Sequence, residues 1–180
     1  MLFIIAILVG GFVRIIHPLG GAYPLNDGGL FYTMVQDLSN SPGILPHFTS
    51  YNHSQIPYAY PPLAFFLTHW IAALTHLPLI ELVRLLPAII STLTIPVFYG
   101  LARKLLPTGN AALLATFGFA LLPTAFDPLI VGAGLTRAPG LLFALLTLSE
   151  LHALYTQPNR IRLARTALFG GLRSEEHTSE

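Results

Sequence analysis

Apolar residues fall into long blocks separated by short polar breaks, and the blocks set the expected elements. Leu2 to Pro18 is apolar apart from Arg14 and His17, which at about 17 residues meets the lower limit for a membrane-spanning helix. Arg14 and His17 lie near its end, where long polar side chains snorkel to headgroups, and Gly20 to Pro24 closes it. From Asn26 the pattern changes: Leu30, Met34 and Leu38 recur every fourth residue with Phe31 and Val35 beside them, which predicts a short amphipathic helix along a membrane surface. Ser39 to Pro57 has little periodicity and reads as an ordered polar loop. Tyr60-Pro61-Pro62-Leu63 opens an apolar segment to Ile80, interrupted by His69, Trp70, His76 and Pro78; it either spans or lies at the interface. Leu82 to Leu101 is a clear span despite Pro87 and Pro96, which neighbouring helices accommodate in membranes. Ala111 to Pro123 is a further span, short unless it reaches Leu129. Asp127 to Arg137 is a Gly-rich break, and Ala138 to Leu154 is the last span. The expected fold is all-α and polytopic, with juxtamembrane helices in the first outer loop.

Composition agrees with the pattern. The chain is 53% hydrophobic and 9% charged, with a mean hydropathy of +0.66, whereas a soluble domain carries roughly 25% charged residues. A soluble fold and nucleic-acid binding are both disfavoured. With no cysteine, disulfides and thiolate chemistry are unavailable. No basic region precedes the first apolar block and no small-residue cleavage site follows it, so it is expected to stay in the mature chain.

The last eight residues, 173–180, turn abruptly polar and acidic and resemble the translation of a common sequencing-library adapter. The expectation is that 1–172 belongs to one membrane domain continuing past Leu172 and that the tail is non-native. The tail holds one of nine Lys and Arg (Arg173) and three of eight Asp and Glu (Glu175, Glu176, Glu180), so without it the net charge rises from +1 to +3. The remaining carboxylates are Asp27, Asp37, Glu81, Asp127 and Glu150.

Cytoplasmic loops retain Lys and Arg, which places Arg103-Lys104 and the cluster of Arg160, Arg162 and Arg165 inside. The break from Asp127 to Arg137 is then outside. If Asp27 is outside as well, an odd number of spans separates it from Arg103, and Tyr60 to Ile80 becomes a juxtamembrane helix.

Candidate chemistry gathers in the outer segments. Asp27 opens the amphipathic helix beside Tyr23, Tyr32 and Tyr51; it reads either as an N-cap, accepting from free backbone N–H groups, or as a functional acid in a carboxylate-poor chain. Tyr51, His53, Gln55, Tyr58 and Tyr60 can offer hydroxyl, imidazole and ring faces to a sugar, and tyrosine is equally an interfacial anchor. Asp127 reads by itself as a cap or a partner for Arg137, and Arg137 as a headgroup anchor at the start of a span. No histidines or carboxylates occur at metal-ligand spacing, so no metal is indicated, although a divalent ion is compatible with such chemistry.

Taken in order, the first span, Asp27-Gly28-Gly29-Leu30-Phe31-Tyr32, Tyr60-Pro61-Pro62-Leu63, Arg84-Leu85-Leu86-Pro87-Ala88 and Tyr99-Gly100-Leu101-Ala102-Arg103-Lys104-Leu105 resemble the N-terminal part of the polytopic GT-C glycosyltransferases. That family includes the protein O-mannosyltransferases and the aminoarabinose transferases of lipid A. One departure is that the family's Asp-Glu pair is here Asp27-Gly28. The resemblance implies an inverting transferase using a polyprenyl-phosphate sugar at the outer face of the cell membrane and a protein, lipid or glycan acceptor. It implies that Asp27 is the general base, that Asp127 assists, and that Arg137, Tyr32, Tyr51, His53 and Tyr60 bind substrate. Activity would belong to the longer chain. The competing classes are a multi-pass transporter, for which charges within spans and Gly- or Pro-broken helices are expected, and a noncatalytic membrane protein.

Overall fold

The computed structural model describes residues 1–21, 26–41, 44–131 and 134–174. Its long helices are α1 (Leu2–Leu19), α4 (Leu79–Leu105) and α7 (Gly134–Thr156), all long and apolar enough to cross a membrane. Helix α5 (Gly109–Leu121) and helix α6 (Pro123–Ile130) meet at a 46° bend and together pass the same test. Two shorter helices, α2 (Gly28–Asn40) and α3 (Leu63–Thr75), lie between α1 and α4, and α8 (Arg160–Ser174) follows α7.

Side-chain contacts give the directions. Phe3 stacks on Tyr99 at the start of α1, and Arg14 bonds Ser91 near its end, so α1 and α4 are antiparallel. Phe98 stacks on Phe119, so α5 runs back along α4. Pro87 lies against Gly134 and Lys104 bonds Ser149, so α4 and α7 are parallel. Arg162 reaches Ala153 and Gly170 faces Thr147, so α8 folds back along α7. One end of the bundle therefore holds the C-terminus of α1, the N-terminus of α4 and the α6–α7 junction. The other end holds the α4–α5 and α7–α8 turns.

Where α1 packs on α4 and α5, many of the buried residues are small or polar, while the outward face of α1 is large and apolar. Ala6, Gly10 and Arg14 of α1 are buried while Leu2, Ile4, Leu8, Phe12 and Ile16 are exposed. Ser91, Thr94 and Thr116 are buried too, with Thr94 and Thr116 bonding carbonyls one turn back on their own helices. This pattern suits a hydrocarbon surround, where small residues let helices approach and Ser and Thr satisfy themselves internally. Gly10 is one such close approach: a Cβ there would lie 2.6 Å from Ile95 Cδ1 and 2.9 Å from Ala120 Cβ.

Several expectations are revised. Arg14 does not snorkel. It is fully buried, donating from Nε to Ser91 Oγ (3.1 Å), from Nη1 to the carbonyls of Gly10 (2.9 Å) and Ala120 (2.6 Å), and from Nη2 to that of Phe119 (3.4 Å), with its guanidinium carbon 4.6 Å from the centre of the Phe126 ring. The reason is local: Pro123 has no N–H to offer Phe119 four residues back, so the end of α5 presents carbonyls that a multidentate cation can satisfy. Of the two readings left open for 60–80, the structure gives the shorter element: a 13-residue helix, too short to span, ended by His76 in a left-handed conformation (φ 56°). The polar loop forms a small antiparallel pair, β1 (Phe48–Thr49) with β2 (Ile56–Pro57). Helix α7 starts at Gly134, four residues before the expected Ala138, so Arg137 belongs to a helix and not to a break. The expected tail begins inside α8, which Arg173 and Ser174 complete; 175–180, Tyr23 and the centre of the Gly-rich break at 132–133 lie outside the described residues.

Candidate functional site

The α1–α4 end of the bundle is capped by α2, α3 and the small hairpin, built around an apolar cluster. Phe31, Met34, Val35 and Leu38 on one face of α2 pack with Tyr58, Ala64, Phe65, Val83 and Leu135. Their spacing is that of an amphipathic helix, and Leu135 brings the first turn of α7 to the same cluster. Glu81 and Arg84, an i,i+3 pair on the first turns of α4, form an ion pair at 2.5 Å, and Arg84 also donates to the Gly21 carbonyl. That bond ties the exit of α1 to the entry of α4.

Asp27 is at the N-cap position of α2, and its carbonyl accepts the Phe31 N–H. Its carboxylate makes no cap bond, is exposed, and has no partner among the described residues. The capping reading is therefore not realised by the side chain. Asn26 before it is left-handed (φ 52°), a conformation that asparagine tolerates and that turns the chain into the helix. Tyr51 crosses the same turn: a Cβ at Gly29 would lie 3.5 Å from its ring and 3.7 Å from its hydroxyl.

The hairpin is held by a carboxylate that the sequence pattern did not single out. Asp37 accepts from Thr49 Oγ1 (2.8 Å), the Ser50 N–H (2.8 Å) and Ser50 Oγ (2.6 Å). The only signal was that Asp37 is one of few acids; its partners lie 12 and 13 residues away, beyond any local motif. Tyr58 is buried and donates to the Met34 carbonyl at 3.1 Å, so it anchors the hairpin and does not face a ligand. Burial, and then the nearby Asp37 charge, push its phenol well above the usual tyrosine range.

The remaining candidates divide. Tyr32 and Tyr60 are half-buried against the α2 cluster, with Tyr60 edge-on to Phe31 at 5.1 Å. His53 is exposed in a left-handed turn (φ 55°) and, with Phe48, Thr49, Ser50 and Gln55, lines an open polar cleft of about 430 Å³. Asp127 on α6 and Arg137 in the first turn of α7 are both exposed, and they form no ion pair with each other. The structure thus brings Asp27, Tyr51, Tyr32 and Tyr60 around α2. Asp127 and Arg137 flank the α6–α7 junction on the same end of the bundle, with no bond to the α2 group among the described residues. Within those residues, no three His, Asp or Glu side chains are grouped as a metal site.

Comparison of the chain with protein-family models, with curated proteins and with solved structures finds no match. The fold defines a helical protein with three helices, or four counting the bent pair, long and apolar enough to cross a membrane.

Proposed function

We propose that the chain is the N-terminal module of a GT-C-type glycosyltransferase that takes a sugar from a polyprenyl-phosphate donor at the outer face of the cell membrane. The observation that carries this reading is Asp27. A carboxylate at a helix N-terminus ordinarily caps it, yet this one is exposed, makes no cap bond and has no partner among the described residues, with the Tyr51 hydroxyl over the same turn. Asp27 accepts the proton from an acceptor hydroxyl or amine as that oxygen or nitrogen bonds the anomeric carbon. The bond from that carbon to the phosphate oxygen breaks, its electron pair leaves with the lipid phosphate, and the configuration inverts. Arg137, paired with no carboxylate among the described residues, neutralises the leaving phosphate, for which its planar fork is suited. Asp127 orients the acceptor, and Tyr32, Tyr51, His53 and Tyr60 contact sugar or acceptor.

A transporter draws support from the bent α5–α6 pair, since broken helices expose carbonyls that coordinate ions. Here Arg14 already occupies those of Phe119 and Ala120, which favours the transferase.

The test is Asp27→Asn in the full-length protein, with transfer measured from a radiolabelled polyprenyl-phosphate sugar. Because the native side chain makes no cap bond, stability should not change, while transfer falls roughly 10²–10⁴-fold. Near-normal transfer by a well-folded, donor-binding variant would remove Asp27 from this role. For sidedness, Asp27→Cys and Tyr51→Cys should react with an impermeant thiol reagent in intact cells and Arg103→Cys should not. The reverse labelling pattern refutes an outward-facing site.

A further inference from the structure

At the opposite end of the bundle a groove runs between the C-terminal halves of α4 and α7. Leu101 and Leu105, one turn apart on α4, form one wall, and Leu148, Leu151, His152 and Tyr155 on α7 form the other. It encloses about 390 Å³, within the range of small-ligand sites. Leu105, Leu148 and Tyr155 are 58%, 51% and 91% exposed, so the groove opens sideways from the bundle, towards hydrocarbon when α4 and α7 cross a membrane. The leucines can take an alkyl chain. His152, Tyr155 and Thr156 put the polar rim at the end of α7.

Among the described residues the charge around that rim is paired with no carboxylate. Arg103 and Lys104 end α4, and Arg160, Arg162 and Arg165 begin α8; of the carboxylates on α4, α7 and α8, Glu81 is at the far end of α4 and Glu150 is on α7. Among the described residues the only ion pair is Arg84 with Glu81, at the other end. Lys104 Nζ bridges the α4–α7 seam, donating to the carbonyl (3.0 Å) and hydroxyl (2.6 Å) of Ser149. One ammonium N–H and the whole charge are left over. Arg162 is spent on the α7 terminus, donating to Ala153 and Gln157, whereas Arg160 and Arg165 are exposed and have no partner among the described residues.

We propose that this groove is a binding site for an anionic phospholipid, one acyl chain between Leu101, Leu105, Leu148 and Leu151 and the phosphate at Lys104, with the α8 arginines beyond it. The proposal rests on α4 and α7 crossing a membrane and not on the transferase reading. The site is at the other end of the bundle from Asp27 and is not where a sugar donor's phosphate would meet Arg137. Charge complementarity selects the occupant: a zwitterionic lipid would fill the groove equally well and leave the cations unneutralised.

The experiment uses the full chain in nanodiscs made from equal parts phosphatidylglycerol and phosphatidylcholine of identical acyl chains, with co-purifying lipid counted by native mass spectrometry after release. Phosphatidylglycerol should be retained in preference. Lys104→Gln should lower that preference about fivefold, the worth of one cation near an anionic headgroup, and Leu148→Trp should abolish retention of both lipids by filling the groove. A readout needing no variant is salt. Raising it from about 0.1 M to about 1 M shortens the screening length from about 10 Å to about 3 Å and should erase the preference while leaving phosphatidylcholine retention unchanged. Equal retention of the two lipids, unchanged retention in Leu148→Trp, or displacement of the lipid by inorganic phosphate alone overturns the proposal. So does a chain dimer that covers the groove. Membrane insertion is read separately, by resistance to alkaline extraction, so a failure of the spanning premise is told apart from a failure of the site.

Discussion

Replacing Arg14 by methionine is the sharpest test of how this bundle is held. The substitution keeps much of the side-chain volume and removes every donor that reaches Ser91, Gly10, Ala120 and Phe119. Two of those acceptors have no substitute at hand: Pro123 cannot donate to Phe119, and Leu122 leaves the helix with extended backbone (ψ 115°) just after Ala120. An orphaned buried acceptor costs about 1–3 kcal/mol, and the lost stacking on Phe126 adds up to about 2 kcal/mol in a desolvated setting. Against this, methionine relieves a guanidinium with no carboxylate beside it, and burying an ion costs several kcal/mol. The balance expected is a loss of about 2–4 kcal/mol, because the carbonyls stay buried whatever stands at position 14. Arg14→Lys should fall between, since an ammonium keeps the charge but cannot reach both helix ends at once. Reversible unfolding in mixed micelles, followed by circular dichroism, measures the order. A methionine variant as stable as the native protein would refute the reasoning, for it would mean that desolvation outweighs all four bonds.

Glycine substitutions should separate close approach from open surface. Gly134→Ala would drive a Cβ into the Leu129 carbonyl and should cost about 1–3 kcal/mol; Gly118→Ala meets nothing within 4 Å and should gain about 0.5–1 kcal/mol, both read as thermal midpoints in detergent. For Tyr58, the raised phenol pKa means that folding favours the neutral form. Its contribution is fully present below the unfolded tyrosine value near 10 and is lost as pH climbs through and beyond it. Stability should therefore be level from about pH 7 to 9 and fall above about 10, and Tyr58→Phe should flatten the alkaline fall at a cost of about 1 kcal/mol, followed by unfolding across an alkaline pH series.

What the sequence determined by itself follows from helix periodicity and length, which act locally. Leu2–Leu19 as a first apolar helix, the amphipathic α2 with its buried Phe31, Met34, Val35 and Leu38, and the long α4 despite Pro87 and Pro96 all follow from spacing along one segment. The position of Asp27 at the mouth of α2 was legible for the same reason. Tertiary structure decided whatever depends on partners distant in the chain. Arg14 near a helix end has the local look of a headgroup anchor; its burial is decided by Ser91, 77 residues on, and by carbonyls 105 and 106 residues on. The role of Asp37 depends on a hairpin that periodicity did not reveal, since strands of two residues carry no pattern. Asp27 is free of its helix because capping is a matter of side-chain direction, and sequence fixes only which residue precedes the helix.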